Sequence, residues 1–173
     1  MKDIYQVILV TVPSLLVMLT SWLVIRSMLK NDQDRRRQEL ILQNSKTVMP
    51  IRLQAYERMI LFLERISLES MLVRVSTPDM TATQLHSTLL STIRSEFEHN
   101  LSQQIYMTQQ SWEVARNARS NMIKMINTEY EKLPPNAGGM VLSKQLLEKV
   151  MEMEKEPTRT AIEYIKAEIA RVM

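Results

Sequence analysis

Between Ile4 and Ile25 the chain carries no charged residue: IYQVILVTVPSLLVMLTSWLVI. A helix of that length rises about 33 Å, against a bilayer hydrocarbon core of about 30 Å. Thirteen of these residues are Leu, Ile or Val. At the centre of a span each contributes roughly −0.3 to −0.6 kcal/mol, on the order of −4 to −8 kcal/mol in all, from which Gln6, Pro13 and the hydroxyl residues subtract. A soluble helix this long carries a charged face. A cleavable signal peptide would have more basic residues before the run than Lys2, a shorter apolar core and a small-residue cleavage site ahead of Arg26. The run therefore predicts a transmembrane anchor within residues 1–29, with Trp22 as an interfacial residue one turn before Arg26.

Charge orients the anchor. Lys2 and Asp3 precede it, whereas Arg26, Lys30, Arg35, Arg36 and Arg37 follow it, so the positive-inside rule places the C-terminal side in the cytoplasm and the N-terminus outside. The formal net charge of +3 is all located here. Residues 26–37 hold five basic and two acidic residues, and residues 38–173 balance 16 against 16. Each of those bases gains about 1 kcal/mol beside anionic lipid. The neutral remainder offers no extended phosphate-binding footprint, so the pattern points to a lipid bilayer as partner and not to nucleic acid.

The rest reads as helix. There is no Cys, hence no disulfide or thiolate site. The two glycines are adjacent, which excludes the spaced glycines of a phosphate-binding loop and argues against hairpin-rich β structure. Residues 30–49 are expected to form a basic juxtamembrane helix or linker, broken at Lys46–Met49 ahead of Pro50. Residues 50–173 are expected to form a cytoplasmic bundle of about five helices. The predicted helices are Ile51 to Val73, Thr81 (opening on a capping box with Gln84) to Tyr106, Gln109 to Leu133 behind a Thr108 cap, Val141 to Lys155, and one starting at Pro157. On the first of these, Leu61 and Leu68 fall opposite the main apolar arc, a candidate seam for a partner.

The stretches Pro50-Ile51-Arg52-Leu53-Gln54-Ala55-Tyr56-Glu57-Arg58, Phe62-Leu63-Glu64-Arg65-Ile66 and Glu96-Phe97-Glu98-His99-Asn100-Leu101-Ser102-Gln103-Gln104-Ile105-Tyr106 resemble an uncharacterised family of membrane-anchored proteins from Bacteroidota. The resemblance runs from the anchor through the fourth helix and is looser beyond it. It implies the inner membrane of a Gram-negative cell and transfers no site residues.

Few residues suggest chemistry. Glu96 and His99 have the Glu-x-x-His spacing of carboxylate-bridged metal bundles, but those need a second copy, and Thr83 stands three residues before His86 where an acid is required. Polar residues inside apolar arcs are a sharper signal: His86, Asn100 and Gln104 on the predicted Thr81–Tyr106 helix and Arg119 on the predicted Gln109–Leu133 helix. A charge buried alone is costly, so Arg119 is expected to pair with Glu96, or with Glu64. Met122 with Met125, and Met151 with Met153, are candidates for an adaptable groove. No catalytic triad can be assembled and no cofactor is expected. The reading is a non-enzymatic, single-pass inner-membrane protein whose helical domain binds itself or another envelope protein. The alternatives are a metal-binding enzyme or sensor built on Glu96, His99 and His86, and a lipid-reading surface adaptor.

Overall fold

The first helix ends because Ser67 takes an extended conformation (φ −60°, ψ 144°), with its hydroxyl turned back onto the Glu64 carbonyl at 2.8 Å. The Arg74 guanidinium satisfies the Arg65 carbonyl at 3.2 Å, so two of the carbonyls left orphaned at the end of the helix find side-chain donors. In the computed structural model, which describes the backbone of residues 2–172 and the side chains of residues 15–30, 32, 36 and 46–171, α1 runs Lys2–Arg65. It is followed by α2 (Leu68–Val75), α3 (Ala82–Glu98), a 3₁₀ turn (Leu101–Ile105), α4 (Gln109–Glu131), α5 (Gly139–Glu152) and α6 (Pro157–Val172). The fold is all-helical. Among the described residues the only β-type pairing is an isolated bridge between Thr81 and Gly138.

The chain divides into two units, Met1–Met49 and Pro50–Met173. In the first, the large apolar side chains from Leu15 to Leu29 are exposed, as are Arg26, Lys30 and Arg36. No helix, judged on the described residues, is long and apolar enough to cross a membrane. Residues 4–14 of the charge-free run lie outside the described side chains, as do Arg35 and Arg37.

In the second unit, i to i+4 apolar spacing supplies the core. Met59, Phe62, Leu63 and Ile66 from the end of α1 are buried with Leu85, Leu89 and Ile93 of α3, Met122 and Ile126 of α4, Leu142 and Leu146 of α5, and Ile165 of α6. The capping box predicted at Thr81 is present: the Gln84 amide N–H reaches the Thr81 hydroxyl at 3.2 Å and the Thr81 N–H reaches the Gln84 side chain at 2.9 Å. Thr108 caps α4 through the Ser111 N–H.

The expected helix boundaries fail in three places. Helix α1 continues through Pro50 instead of breaking at Lys46–Met49. Pro50 and Lys46 are both exposed, so water can take the carbonyl bond that the proline withholds. The helix predicted over Ile51–Val73 is two, α1 and α2, turned at Ile66 and Ser67. The third helix stops at Glu98 rather than Tyr106, with the chain tightening into the 3₁₀ turn. The second difference removes the Leu61/Leu68 seam. Seven residues apart on one helix, they would share a face; with the helix broken between them, Leu61 is 53% exposed and Leu68 is fully buried. Met122 is likewise core and Met151 is exposed, so the paired-methionine grooves do not form as pairs.

The Pro134–Gly139 loop is tied to the start of α3 by the bonds Gly139 N–H to Met80 carbonyl (2.7 Å) and Ala82 N–H to Ala137 carbonyl (2.9 Å). Asn136 supplies the turn's positive φ of 71°, a conformation Asn tolerates. A β-carbon on Gly139 would lie 2.8 Å from the Met80 carbonyl oxygen, whereas one on Gly138 meets nothing. Gly139→Ala is therefore expected to cost about 1–3 kcal/mol and Gly138→Ala less than about 0.5 kcal/mol. Thermal unfolding of the two variants, compared side by side, checks this.

Candidate functional site

The residues after the Pro50 turn of α1 place Arg58, Leu61 and Arg65 at i, i+3 and i+7, one exposed stripe on the helix. The C-terminal end of α3 places Glu96 and His99 opposite it. Between them lies an open cleft of about 400 Å³, floored by Phe62 and closed by Ser95 and Asn100. Glu96 accepts an ion pair from Arg65 Nη2 at 2.8 Å, and Arg74 Nη2 stands 3.7 Å from the same oxygen. The Asn100 amide donates to the Glu96 carbonyl (2.8 Å), and the His99 ring Nδ1 lies 2.6 Å from the Ser95 carbonyl. A carbonyl only accepts, so Nδ1 carries the proton and Nε2 is left as the ring's unengaged nitrogen.

These contacts correct the expected Glu96–Arg119 pair. Glu96 sits at the α1-facing edge of α3 and is taken by arginines of α1 and α2. Arg119 instead lays its guanidinium over the Phe97 ring, 4.3 Å from the centroid, with Nε buried and without a hydrogen-bond partner. Stem packing and the aromatic face replace the missing carboxylate. Glu64, the other suggested partner, is exposed. His86 is held by Asn127 at 2.8 Å and stacks on Tyr130 at 4.2 Å, far from any second metal-type ligand on α3. Gln104 lies in the 3₁₀ turn and is exposed. Among the described residues no three His, Asp or Glu side chains gather as a metal site. Glu96 and His99 do share the cleft, but two guanidinium groups crowd the Glu96 carboxylate and oppose a cation there.

The inward carboxylates lie elsewhere, and none of them was among the expected site residues. Glu168 of α6 accepts the hydroxyls of Tyr56 (2.5 Å), Thr108 (2.7 Å) and Ser111 (2.7 Å). Burial pushes its carboxyl up, but the Tyr56, Ser111 and Thr108 donors and the charge of Arg52 outweigh it and hold the group below the ordinary glutamate range. At buried Glu129, desolvation is again outweighed, by Lys132 at 2.7 Å and Gln145 at 2.9 Å, and the pKa is lowered. Glu156, between α5 and α6, caps α2 by accepting the Leu68 N–H at 2.9 Å. Here desolvation, with Glu69 and Glu64 adding to it, raises the carboxyl. The sequence signal for Glu168 was its place among Ile162, Ile165 and Ile169 on α6, an acid beside an apolar stripe. The hydroxyl partners come from α1 and α4, more than fifty residues away.

No curated protein and no solved structure matches the chain. A family of proteins does match, over residues 2–172. The chain belongs to that family, described as a family of unknown function (DUF7935).

Proposed function

We propose that the chain is a single-pass protein of the Gram-negative inner membrane, anchored by residues 4–25, with its N-terminus outside and a cytoplasmic helical domain that binds a second copy of itself or another membrane protein. One observation carries the reading. The charge-free run lies in helix α1, and its consecutive residues Leu15, Leu16, Val17, Met18 and Leu19 are each more than half exposed. Five consecutive residues at about 100° each cover every direction round a helix, so that stretch has no packed side and no polar side. Such a helix is at home in hydrocarbon. The polar flank supports the same assignment: the Arg26 guanidinium lies over the Trp22 ring at 5.2 Å, the aromatic-basic pairing suited to a headgroup layer, and Lys30 and Arg36 are exposed beyond it. For the helical domain, the support is an apolar stripe on α5, where Met140, Leu147 and Met151 are exposed.

Alkaline carbonate washing of native membranes is the test. The chain is expected to remain in the pellet, with its C-terminal domain protected from protease added outside spheroplasts. Release into the supernatant overturns the anchor, and digestion from outside overturns the orientation. Crosslinking in those membranes is expected to return a dimer or a specific heteromer; monomer alone removes the interaction role.

A further inference from the structure

We propose that the cleft between the end of α1 and the end of α3 binds a phosphomonoester carrying an apolar substituent. The inference rests on the Pro50–Met173 unit alone and stands or falls independently of the membrane anchor. The cleft's volume of about 400 Å³ is that of a small-molecule site. Its charge is unbalanced. Arg58 and Arg65 line it against one carboxylate, Glu96, which is already engaged by Arg65 and by Arg74 from outside the lining. Among the described residues Arg58 has no carboxylate partner, so its five N–H donors are available to a ligand.

The kind of anion follows from where the donors are. A carboxylate is satisfied by one bidentate guanidinium. This cleft has Arg58 and Arg65 along one wall and the His99 ring, whose Nε2 is not the nitrogen bonded to Ser95, on the other. That spread suits a tetrahedral group with three free oxygens. Because Nδ1 is turned onto the Ser95 carbonyl, Nε2 accepts from a phosphate hydroxyl when the ring is neutral and donates to a phosphate oxygen when it is protonated. Leu61, 53% exposed, lies between Arg58 and Arg65 on the same wall, above the buried Phe62 floor. An apolar group esterified to the phosphate removes the exposed Leu61 surface from water, which inorganic phosphate does not.

Calorimetric titration of the 173-residue chain in nonionic detergent tests this with inorganic phosphate, phenyl phosphate, benzoate and monomeric dihexanoyl phosphatidic acid as probes. Phenyl phosphate is expected to bind about tenfold more tightly than inorganic phosphate and more tightly than benzoate. Arg58→Gln, an exposed change with no ion pair to lose, is expected to weaken phenyl phosphate about tenfold. Leu61→Gln is expected to erase the preference for the phenyl ester over inorganic phosphate. Arg94→Gln, exposed on α3 outside the cleft, is expected to leave binding unchanged. A tighter titration with phosphatidic acid than with phenyl phosphate assigns the phosphomonoester to a lipid headgroup, and the reverse assigns it to a soluble ester; either supports the site. Absence of phosphate-ester binding up to about 10 mM, benzoate binding as tightly as phenyl phosphate, or an Arg58→Gln chain that binds like the parent overturns it.

Discussion

Phe97→Ala is expected to lower the stability of the helical domain by about 4 kcal/mol, within the range for a buried aromatic truncated in a core. The ring is a hub, meeting Phe62 at 5.6 Å and Trp112 at 5.4 Å and lying under the Arg119 guanidinium at 4.3 Å. Three losses combine: the transfer and cavity cost of the ring, two aromatic pairs at roughly 0.5–1.5 kcal/mol each, and the face that receives Arg119. The last is what distinguishes this site from ordinary core. Arg119 Nε is already buried without a hydrogen-bond partner, so removal of the ring leaves the guanidinium over a void. Urea unfolding followed by circular dichroism measures the loss. Phe97→Leu, which fills most of the volume without a π face, is expected to retain about half of the stability lost in Phe97→Ala. Arg119→Met, which keeps the stem and deletes the orphaned Nε, is expected to change stability by less than about 1 kcal/mol. A loss in Arg119→Met as large as that in Phe97→Ala would show that the charge itself has a partner the aromatic contact does not explain.

Glu168→Ala carries the second-largest effect, about 3 kcal/mol, because a charged acceptor bonded to three hydroxyls is removed and Ser111, fully buried, keeps its hydroxyl without that partner. The contacts join the ends of α1, α4 and α6, so the loss falls on long-range packing and not on one helix. The same group predicts a pH dependence. The folded-state pKa of Glu168 is depressed, so its contribution is present in full above the ordinary glutamate value of about 4.3 and is lost as pH falls through the lower folded value. Glu129 has the same sign. Glu156 has the opposite one: its folded pKa is raised, so its stabilising contribution is present below the ordinary value and lost as pH rises through the folded value. The parent chain is therefore expected to gain the Glu156 contribution as pH falls toward about 4.3 and to lose the Glu168 and Glu129 contributions below it. In Glu168→Gln the acid-side loss is expected to shrink, leaving the Glu129 and Glu156 contributions. Thermal unfolding between pH 3 and pH 7 compares the two curves, and a Glu168→Gln curve parallel to the parent's removes the assignment.

Much of this architecture was legible before any coordinates. The scarcity of glycine and the i, i+4 apolar stripes pointed to an all-helical chain. The caps at Thr81 and Thr108 were readable because capping is a local exchange of bonds over three residues. The exposed Arg58–Leu61–Arg65 stripe was readable in principle as i, i+3, i+7, yet it has meaning only beside Glu96 and His99, which arrive from another helix.

What the amino-acid order determined by itself is what depends on near neighbours: helical periodicity, the caps, the charge-free run of residues 4–25 and the basic residues after it. What only the tertiary structure decided is where the chain turns and which charges meet. Ser67 ends α1 with the help of Arg74, and Leu68 opens α2 against Glu156, eighty-eight residues away in the chain. Glu96 chose Arg65 over Arg119, and Glu168 gathered hydroxyls from two distant helices. A helical wheel gives the direction of each side chain round its own axis, but the identity of the opposing group depends on how separate helices pack, and no local pattern encodes that.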